Sequence, residues 1–407
     1  MAISLKENIS IGFSDFWSRK IRSIVTITGI ILGTMSIIVV LSLVNGINQQ
    51  TLKWMMERGG LTKITVSRNW EYQSETDQKN YFTLKEFYLI RSLLPEAAYF
   101  TARISRNFET TYADNRFRSS VSGVLPDFKY IEDWDVSEGR FLSEFDLKNS
   151  TDVICIGSKV KEELFGNKQA VGQFITVADK RLRVIGVMEH RYMKGGNIGN
   201  ENALSYMNRW CYIPLSTMIN KIRNQDEIYS ISLKSHTVEE ASLLREKLEA
   251  IILNLRRNEP VFNIESAKEE AAQMEENAAR FQLIFFLISA ISLFVGGIVI
   301  MNIMLATIQE RTREIGIRIT VGARRRDIFL QFLVQTVVVT SLGGVLGIVF
   351  GLSILNLVGK YLDIQLIANG MMIGVALLVS AGVGLIFGIS PAIKASKLNP
   401  VEALRYE

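Results

Sequence analysis

Between two long apolar runs, residues Glu310 to Asp327 read ERTREIGIRITVGARRRD. Thr312 can cap a short helix there, Ile315 and Ile319 fall one turn apart on one face, and Gly322 suits a C-terminal stop. A short charged helix with an apolar ridge has the chemistry to dock in a partner's groove. The same residue types also suit a basic loop resting on anionic lipid, and composition leaves both readings open. Groups that do covalent or metal chemistry are sparse. The two histidines, His190 and His236, have no Cys or His companion at metal-ligand spacing and are expected in surface turns. No Gly-x-x-x-x-Gly-Lys-Ser/Thr run occurs, so the sequence offers no P-loop for nucleotide phosphates. Catalysis is not expected of this chain, and any ATP hydrolysis must take place on another polypeptide. Cys155 and Cys211 each lie in an apolar, strand-like run, VICIG and WCYIPL. A disulfide is open to them, while the apolar setting favours two buried free thiols.

The elements that must position these groups are dominated by lipid. Of 407 residues 48% are apolar, and four runs, Ser23 to Leu52, Phe281 to Gln309, Ile328 to Gly359 and Ile364 to Ile393, contain no Asp, Glu, Lys or Arg. Each exceeds the roughly 20 residues that cross a bilayer. Lipid offers backbone groups no hydrogen-bond partner, so the runs must be helices. The first run is too long for a signal-peptide core and lacks an A-x-A site, so an uncleaved anchor is expected. Lys6, Arg19, Lys20 and Arg22 precede it, Arg311 to Arg326 lie between the second and third runs, and Lys394, Lys397 and Arg405 follow the fourth. The positive-inside rule places all three segments in the cytoplasm, with both termini, and turns Leu52 to Arg280 outward. The net charge of +5 is thus a topology signal and not one for nucleic acid.

No ionisable group stands at mid-membrane depth, which argues against an ion-coupled carrier. Gly29 and Gly33, then Gly343, Gly347 and Gly351, then Gly384 and Gly388 are spaced for close helix packing, within the chain or between two copies. Four spans are few for a transport unit, which favours a dimer. Ile264, Ala267, Ala271, Met274, Ala278 and Phe281 alternate spacings of three and four into the second span, and a rigid stalk is expected from them. Gly59 and Gly60 should end the extension of the first span. Thr83 with Glu86, and Thr237 with Glu240, read as capping boxes, each near a strand pattern. These far-apart segments suggest one α/β module, with a mainly β insertion between them and a flexible loop from Gly195 to Asn200. Leu5, Ile9, Phe13, Phe16 and Trp17 share a face suited to an in-plane interfacial helix.

The run GIVIMNIMLATIQERTREIGIRITVGARRRDIFLQF and the ending ISPAIKASKLNPVEALRYE resemble the MacB/FtsX-like ABC transporter permeases. VSGVLPDF, EGRFLSEFD, AVGQFITV and RLRVIGVME are similar to that family's MacB-type periplasmic core domain. Ile319-Thr320-Val321 differ from many relatives, which carry a basic residue followed by small or apolar ones.

The resemblance implies an α-helical membrane protein with four transmembrane helices and a large extracytoplasmic α+β domain on a helical stalk. That domain would have an α/β porter-like part and a β-rich inserted subdomain. The expected divisions are a cytoplasmic interfacial helix (1–20), the first span and stalk extension (21–58), and porter-like parts (59–130 and 227–263). The β-rich insertion is 131–226, the stalk helix and second span 264–309, and the coupling helix 310–327. The third and fourth spans are 328–359 and 364–393, with a cytoplasmic tail at 394–407. ATPase-coupling contacts would fall on Glu310, Arg311, Thr312, Arg313, Glu314, Ile315, Gly316, Arg318, Ile319 and Gly322. No cofactor or metal is expected on this chain; ATP and Mg would belong to a separate cytoplasmic ABC ATPase dimer. A homodimer in the bacterial inner membrane, working with a periplasmic adaptor and outer-membrane channel, would transmit ATP-driven motion outward for efflux or export. Lipoprotein release, regulation of cell-wall hydrolases, and an anchored receptor or enzyme whose outer domain acts alone are the alternatives.

Overall fold

The structure is a computed structural model describing residues 20–193, 202–362 and 366–405. The expected interfacial helix and the Gly195 to Asn200 loop lie outside these. In chain order the α-helices of six residues or more are α1 Lys20–Met56, α2 Leu84–Leu93, α3 Ser158–Phe165, α4 Val238–Leu255, α5 Ala267–Glu310, α6 Thr312–Thr320, α7 Arg325–Leu362, α8 Gly370–Ser396 and α9 Pro400–Arg405. The strands are β1 Lys63–Arg68, β2 Tyr99–Tyr112, β3 Asn115–Val124, β4 Val136–Gly139, β5 Val153–Ile156, β6 Phe174–Val177, β7 Lys180–Met188, β8 Trp210–Pro214, β9 Ser230–Lys234 and β10 Phe262–Ser266. Among the described residues, those up to Asn48 and from Asn277 onward form a helical unit, and those from Gln49 to Glu276 a sheet unit.

In the helical unit four helices are long and apolar enough to cross a membrane: 27–56, 267–310, 325–361 and 370–396. A Cβ on Gly29 would stand 3.1 Å from the Gly296 Cα, so α1 and α5 approach where only backbone fits. Gly33 faces Leu293, Gly343 and Gly347 face Ile30 and Thr34, and Gly384 and Gly388 face Thr340 and Thr336. Gly351 meets only ordinary contacts, the nearest at 3.5 Å. These glycine contacts lie within one chain, so they do not themselves call for a second copy. Hydroxyls add interhelical bonds: Ser380 Oγ donates to the Thr340 carbonyl at 2.6 Å, and Ser289 Oγ to Ser36 Oγ at 3.0 Å. The fourth span starts later than its apolar run, because Asn369 Oδ1 accepts from the Met372 amide at 2.9 Å and caps α8 at Gly370.

In the sheet unit, alternation sets the core. Ile64 and Val66 on β1, and Ile231 and Leu233 on β9, are fully buried, and pack with Phe87 and Ile90 of α2 and Leu244 and Leu248 of α4. Each such side chain contributes about 1.5–3 kcal/mol by leaving water. Thr83 with Glu86 and Thr237 with Glu240 form the capping boxes that start α2 and α4. The strand order is β10-β1-β9-β2-β3-β8-β5-β7-β4, with β6 beside β2 and β7. β2 belongs to both parts of this sheet: Tyr99 to Arg103 pair with β9, and Ile104 to Tyr112 with β3. The division between the parts therefore falls inside β2, not at residue 131. Ile264 is likewise no stalk residue; it lies in β10, opposite Val66, and α5 begins at Ala267.

The cysteines sit on adjacent strands, with Cys155 opposite Tyr212 and Ile156 opposite Cys211. Facing residues of an antiparallel pair point to the same side and neighbours along a strand to opposite sides, so the two thiols are on opposite faces of the sheet. Both are buried and free, and burial pushes the Cys211 thiol up to about 12 and Cys155 higher still. Neither thiol is expected to react with a maleimide at pH 7.5 until the protein is denatured, when two equivalents should be taken up. A disulfide-linked peptide in a non-reducing digest would contradict this.

Asp146, 2% exposed, accepts from Arg140 at 2.6 and 3.2 Å, from the Ser143 hydroxyl at 2.6 Å and from the Thr151 hydroxyl at 3.0 Å. Burial alone would raise its pKa, but these donors hold the carboxyl well below the usual range. The folded pKa lies below the unfolded one, so the stabilisation is present above about pH 4 and lost as pH falls further. Asp146→Asn should cost about 2 kcal/mol near pH 7 and progressively less as the pH is lowered from about 5 to 3, as read by denaturant melts of the full chain.

Candidate functional site

The connecting segment is built as helix, junction, helix, turn, helix. α5 ends at Glu310, and Thr312 Oγ1 donates back to the carbonyls of Ile308 and Gln309 at 2.9 and 2.8 Å. Thr312 therefore closes the preceding helix; it does not cap α6, whose flanking residue Arg311 makes no side-chain cap. α6 stops in a Schellman motif: the Ala323 amide reaches the Arg318 carbonyl at 3.0 Å, the Gly322 amide reaches Ile319 at 3.1 Å, and Gly322 holds φ at +105°. The Arg324 amide then donates to Asp327 Oδ2 at 3.3 Å at the start of α7.

α6 is sided differently from the reading of its apolar ridge. Ile315 is 3% exposed, Thr312 and Gly316 are buried, and Ile319 packs against the same core. Arg318 donates to Gln331 Oε1 of α7 at 3.0 Å. That face is spent on the chain itself. The opposite face presents Arg313, Glu314, Ile317 (47% exposed) and Val321 (83% exposed), with Gly322 exposed in the turn. Ile317 and Val321 carry the same four-residue spacing as Ile315 and Ile319, so periodicity alone does not say which pair faces outward.

Of the remaining stalk residues, Ala267, Ala271 and Ala278 are half-buried, and Met274 and Phe281 are 41% and 58% exposed. A second constellation lies in the sheet unit, where α1 ends. A Schellman-type bond from the Gly60 amide to the Met55 carbonyl, 3.1 Å, closes the helix, and Gly59, at φ +103°, passes against the Ile131 carbonyl too closely for a Cβ. Lys63 Nζ donates to the Arg58 carbonyl at 3.2 Å and to Glu132 Oε1 at 2.6 Å. Burial pushes this ammonium below the lysine range against the pull of Glu132. From β9, Lys234 Nζ meets both Asp133 carboxylate oxygens at 2.6 Å. Arg191, 7% exposed, donates to the Glu132 and Asp133 carbonyls at 2.6 and 2.8 Å, and Trp134 Nε1 donates to Glu189 at 2.9 Å. Residues 131–134 thus form an elbow that ties the end of α1, the first part of the sheet and the β-rich part. Its partners are 55 to 101 residues away in sequence, and no local pattern marks it.

The family model of the MacB-like periplasmic core domain matches residues 23–251, and that of the FtsX-like permease C-terminal region matches 286–400. The chain is 30% identical over 410 residues to the macrolide export ATP-binding/permease protein MacB of Bdellovibrio bacteriovorus, covering 98% of this chain and 62% of that protein. It therefore spans less than two thirds of that relative. It is 31% identical over 417 residues to YvrN of Bacillus subtilis, named an uncharacterized ABC transporter permease, covering 98% of this chain and 100% of that one. The solved periplasmic region of MacB from Actinobacillus actinomycetemcomitans aligns with a TM-score of 0.46 at 18% identity, over 56% of this chain and 98% of that chain.

The two faces of α6 can be separated by substitution. Ile317→Asp should leave yield and melting temperature unchanged and reduce recovery of a co-expressed ABC ATPase. Ile315→Asp buries an unpaired carboxylate and should lose several kcal/mol of stability, visible as loss of folded protein. Equal ATPase recovery for Ile317→Asp and the parent would remove the outer face from the contact.

With matching models over both its sheet unit and its later spans, and relatives aligned over nearly its whole length, the chain belongs to the MacB/FtsX-like family of ABC transporter permeases.

Proposed function

We propose that this chain is the non-catalytic permease subunit of an ABC transporter and transmits ATP-driven movement from a cytoplasmic ATPase dimer to its extracellular domain. ATP and Mg are bound by the ATPase on a separate chain, whose contact is the exposed face of α6. The permease acts as a homodimer in the cytoplasmic membrane with both termini inside. Cargo is exported outside the bilayer, with a periplasmic adaptor and outer-membrane channel where an outer membrane exists. The Bdellovibrio relative's name, which specifies macrolide export, supports export as the direction.

One observation carries this reading. α5 is a single helix of 44 residues that begins in the sheet unit and ends two residues before α6. At about 1.5 Å per residue it is about 65 Å long, more than twice the roughly 30 Å hydrocarbon core. The bilayer accounts for less than half of it, and the rest is available as a lever. The uncharged bundle fits the same reading, because it offers polar cargo no path through the spans.

Ala279→Pro would break the helix between bilayer and sheet unit at a cost of about 3 kcal/mol. ATPase recovery and ATP hydrolysis should persist. A nucleotide-dependent change in the separation of spin labels at Lys85→Cys in the two copies, measured by pulsed electron resonance, should vanish. Labels that respond as in the parent protein would refute the lever.

A further inference from the structure

α6 keeps a glycine at its centre, although an internal glycine is less favourable than alanine in a helix. Its surroundings explain this. A Cβ on Gly316 would stand 2.7 Å from the Cβ of Ala403 and 3.6 Å from the Leu404 amide nitrogen, both in α9. Ala403 is 1% exposed, and Thr312 and Ile315 are buried on the same face of α6. α9 has six residues, started by Asn399, whose side chain accepts from the Val401 amide at 3.2 Å and whose carbonyl accepts from Ala403 at 2.9 Å. A six-residue helix does not persist in water unaided. The contact through Gly316 and Ala403 is therefore what holds α9 on α6, and on the inner side of α6 it adds to the core packing of Ile315 and Ile319 and the Arg318–Gln331 bond.

We infer that α9 is a clamp that sets the orientation of α6, with Gly316 and Ala403 as its positioning pair, so that the coupling element of this protein is two helices and not one. The inference rests on the proposed ATPase contact and deepens it. Neither residue of the pair meets the partner, since each is buried against the other. Their effect passes through Arg313, Glu314, Ile317 and Val321, which α6 presents on its far side. The pair also accounts for a glycine whose place in the sequence reads as a partner contact.

The test uses the full chain co-expressed with an ABC ATPase and purified in mild detergent. Gly316→Ala drives a methyl group into Ala403, forces α9 to shift, and should weaken ATPase recovery about tenfold while folded protein is still obtained in the parent's yield. Adding Ala403→Gly makes room for that methyl and should restore recovery. A chain ending at Asn399 removes the clamp outright and should match Gly316→Ala, independently of how residue 316 packs. In whatever complex is recovered, kcat for ATP should fall while KM for ATP holds, because the nucleotide site is untouched; a general loss of structure would not give that split or the rescue. If the parent chain recovers no ATPase, the proposed function fails. If the parent recovers it and Gly316→Ala and the shortened chain do as well with the same kcat, the clamp is wrong and the proposed function stands.

Discussion

A peptide group in hydrocarbon has no water to bond to, and this constraint shapes the molecule beyond the bilayer itself. It makes each apolar run a helix. It does not end the helix at the lipid surface, because once nucleated a helix gains a bond for every residue added. α5 starts with Ala-Lys-Glu-Glu-Ala-Ala, residues of high helix propensity, and has no Gly or Pro before the apolar run. α1 has no strong stop before Gly59. Both helices therefore carry residues of both units on uninterrupted backbone.

The ends of both helices are held by specific contacts. α1 ends in a positive-φ glycine whose missing Cβ lets the Ile131 carbonyl close in, and Lys63 bonds both to the last turn and to Glu132. The elbow is then fixed from the other side by Arg191 and Trp134. A buried ammonium and a buried guanidinium are expensive unless each finds an acceptor. Lys63 thus bridges the turn that follows α1 and the elbow, and both of these contacts lie within the sheet unit. At the other end, Thr312 leaves only one residue between α5 and α6.

Much of this was legible because it rests on local chemistry. Uncharged runs of 29 to 32 residues admit one reading in a membrane, and the Thr83 and Thr237 capping boxes are three-residue signals that tertiary packing had no reason to override. Three features were not. Ile264 extends the spacing of Ala267 and Ala271, but a run of five residues pairing with β1 gains ladder bonds that one more helical turn would not, so β10 takes it. The division of the sheet is hidden because β2 is a single 14-residue strand, and no turn residue marks the point where its partner changes from β9 to β3. The sidedness of α6 is hidden because Ile315/Ile319 and Ile317/Val321 have the same spacing.

That last ambiguity was resolved by a residue far along the chain. A short helix that, with its C-terminal cap residue, carries apolar pairs on two sides can bury either one, and the side containing a glycine is the one that can be approached by another backbone. Gly316 lies between Ile315 and Ile319 on the inward face, so α9 can close on that side to Cβ contact and cannot do so on the side of Ile317. Small size, not hydrophobicity, thus decides which face is inward. The same logic runs through the helical unit, where Gly29 and Gly296 set α1 against α5 and Gly384 admits Thr340. At these positions the glycines mark where one helix of the chain meets another.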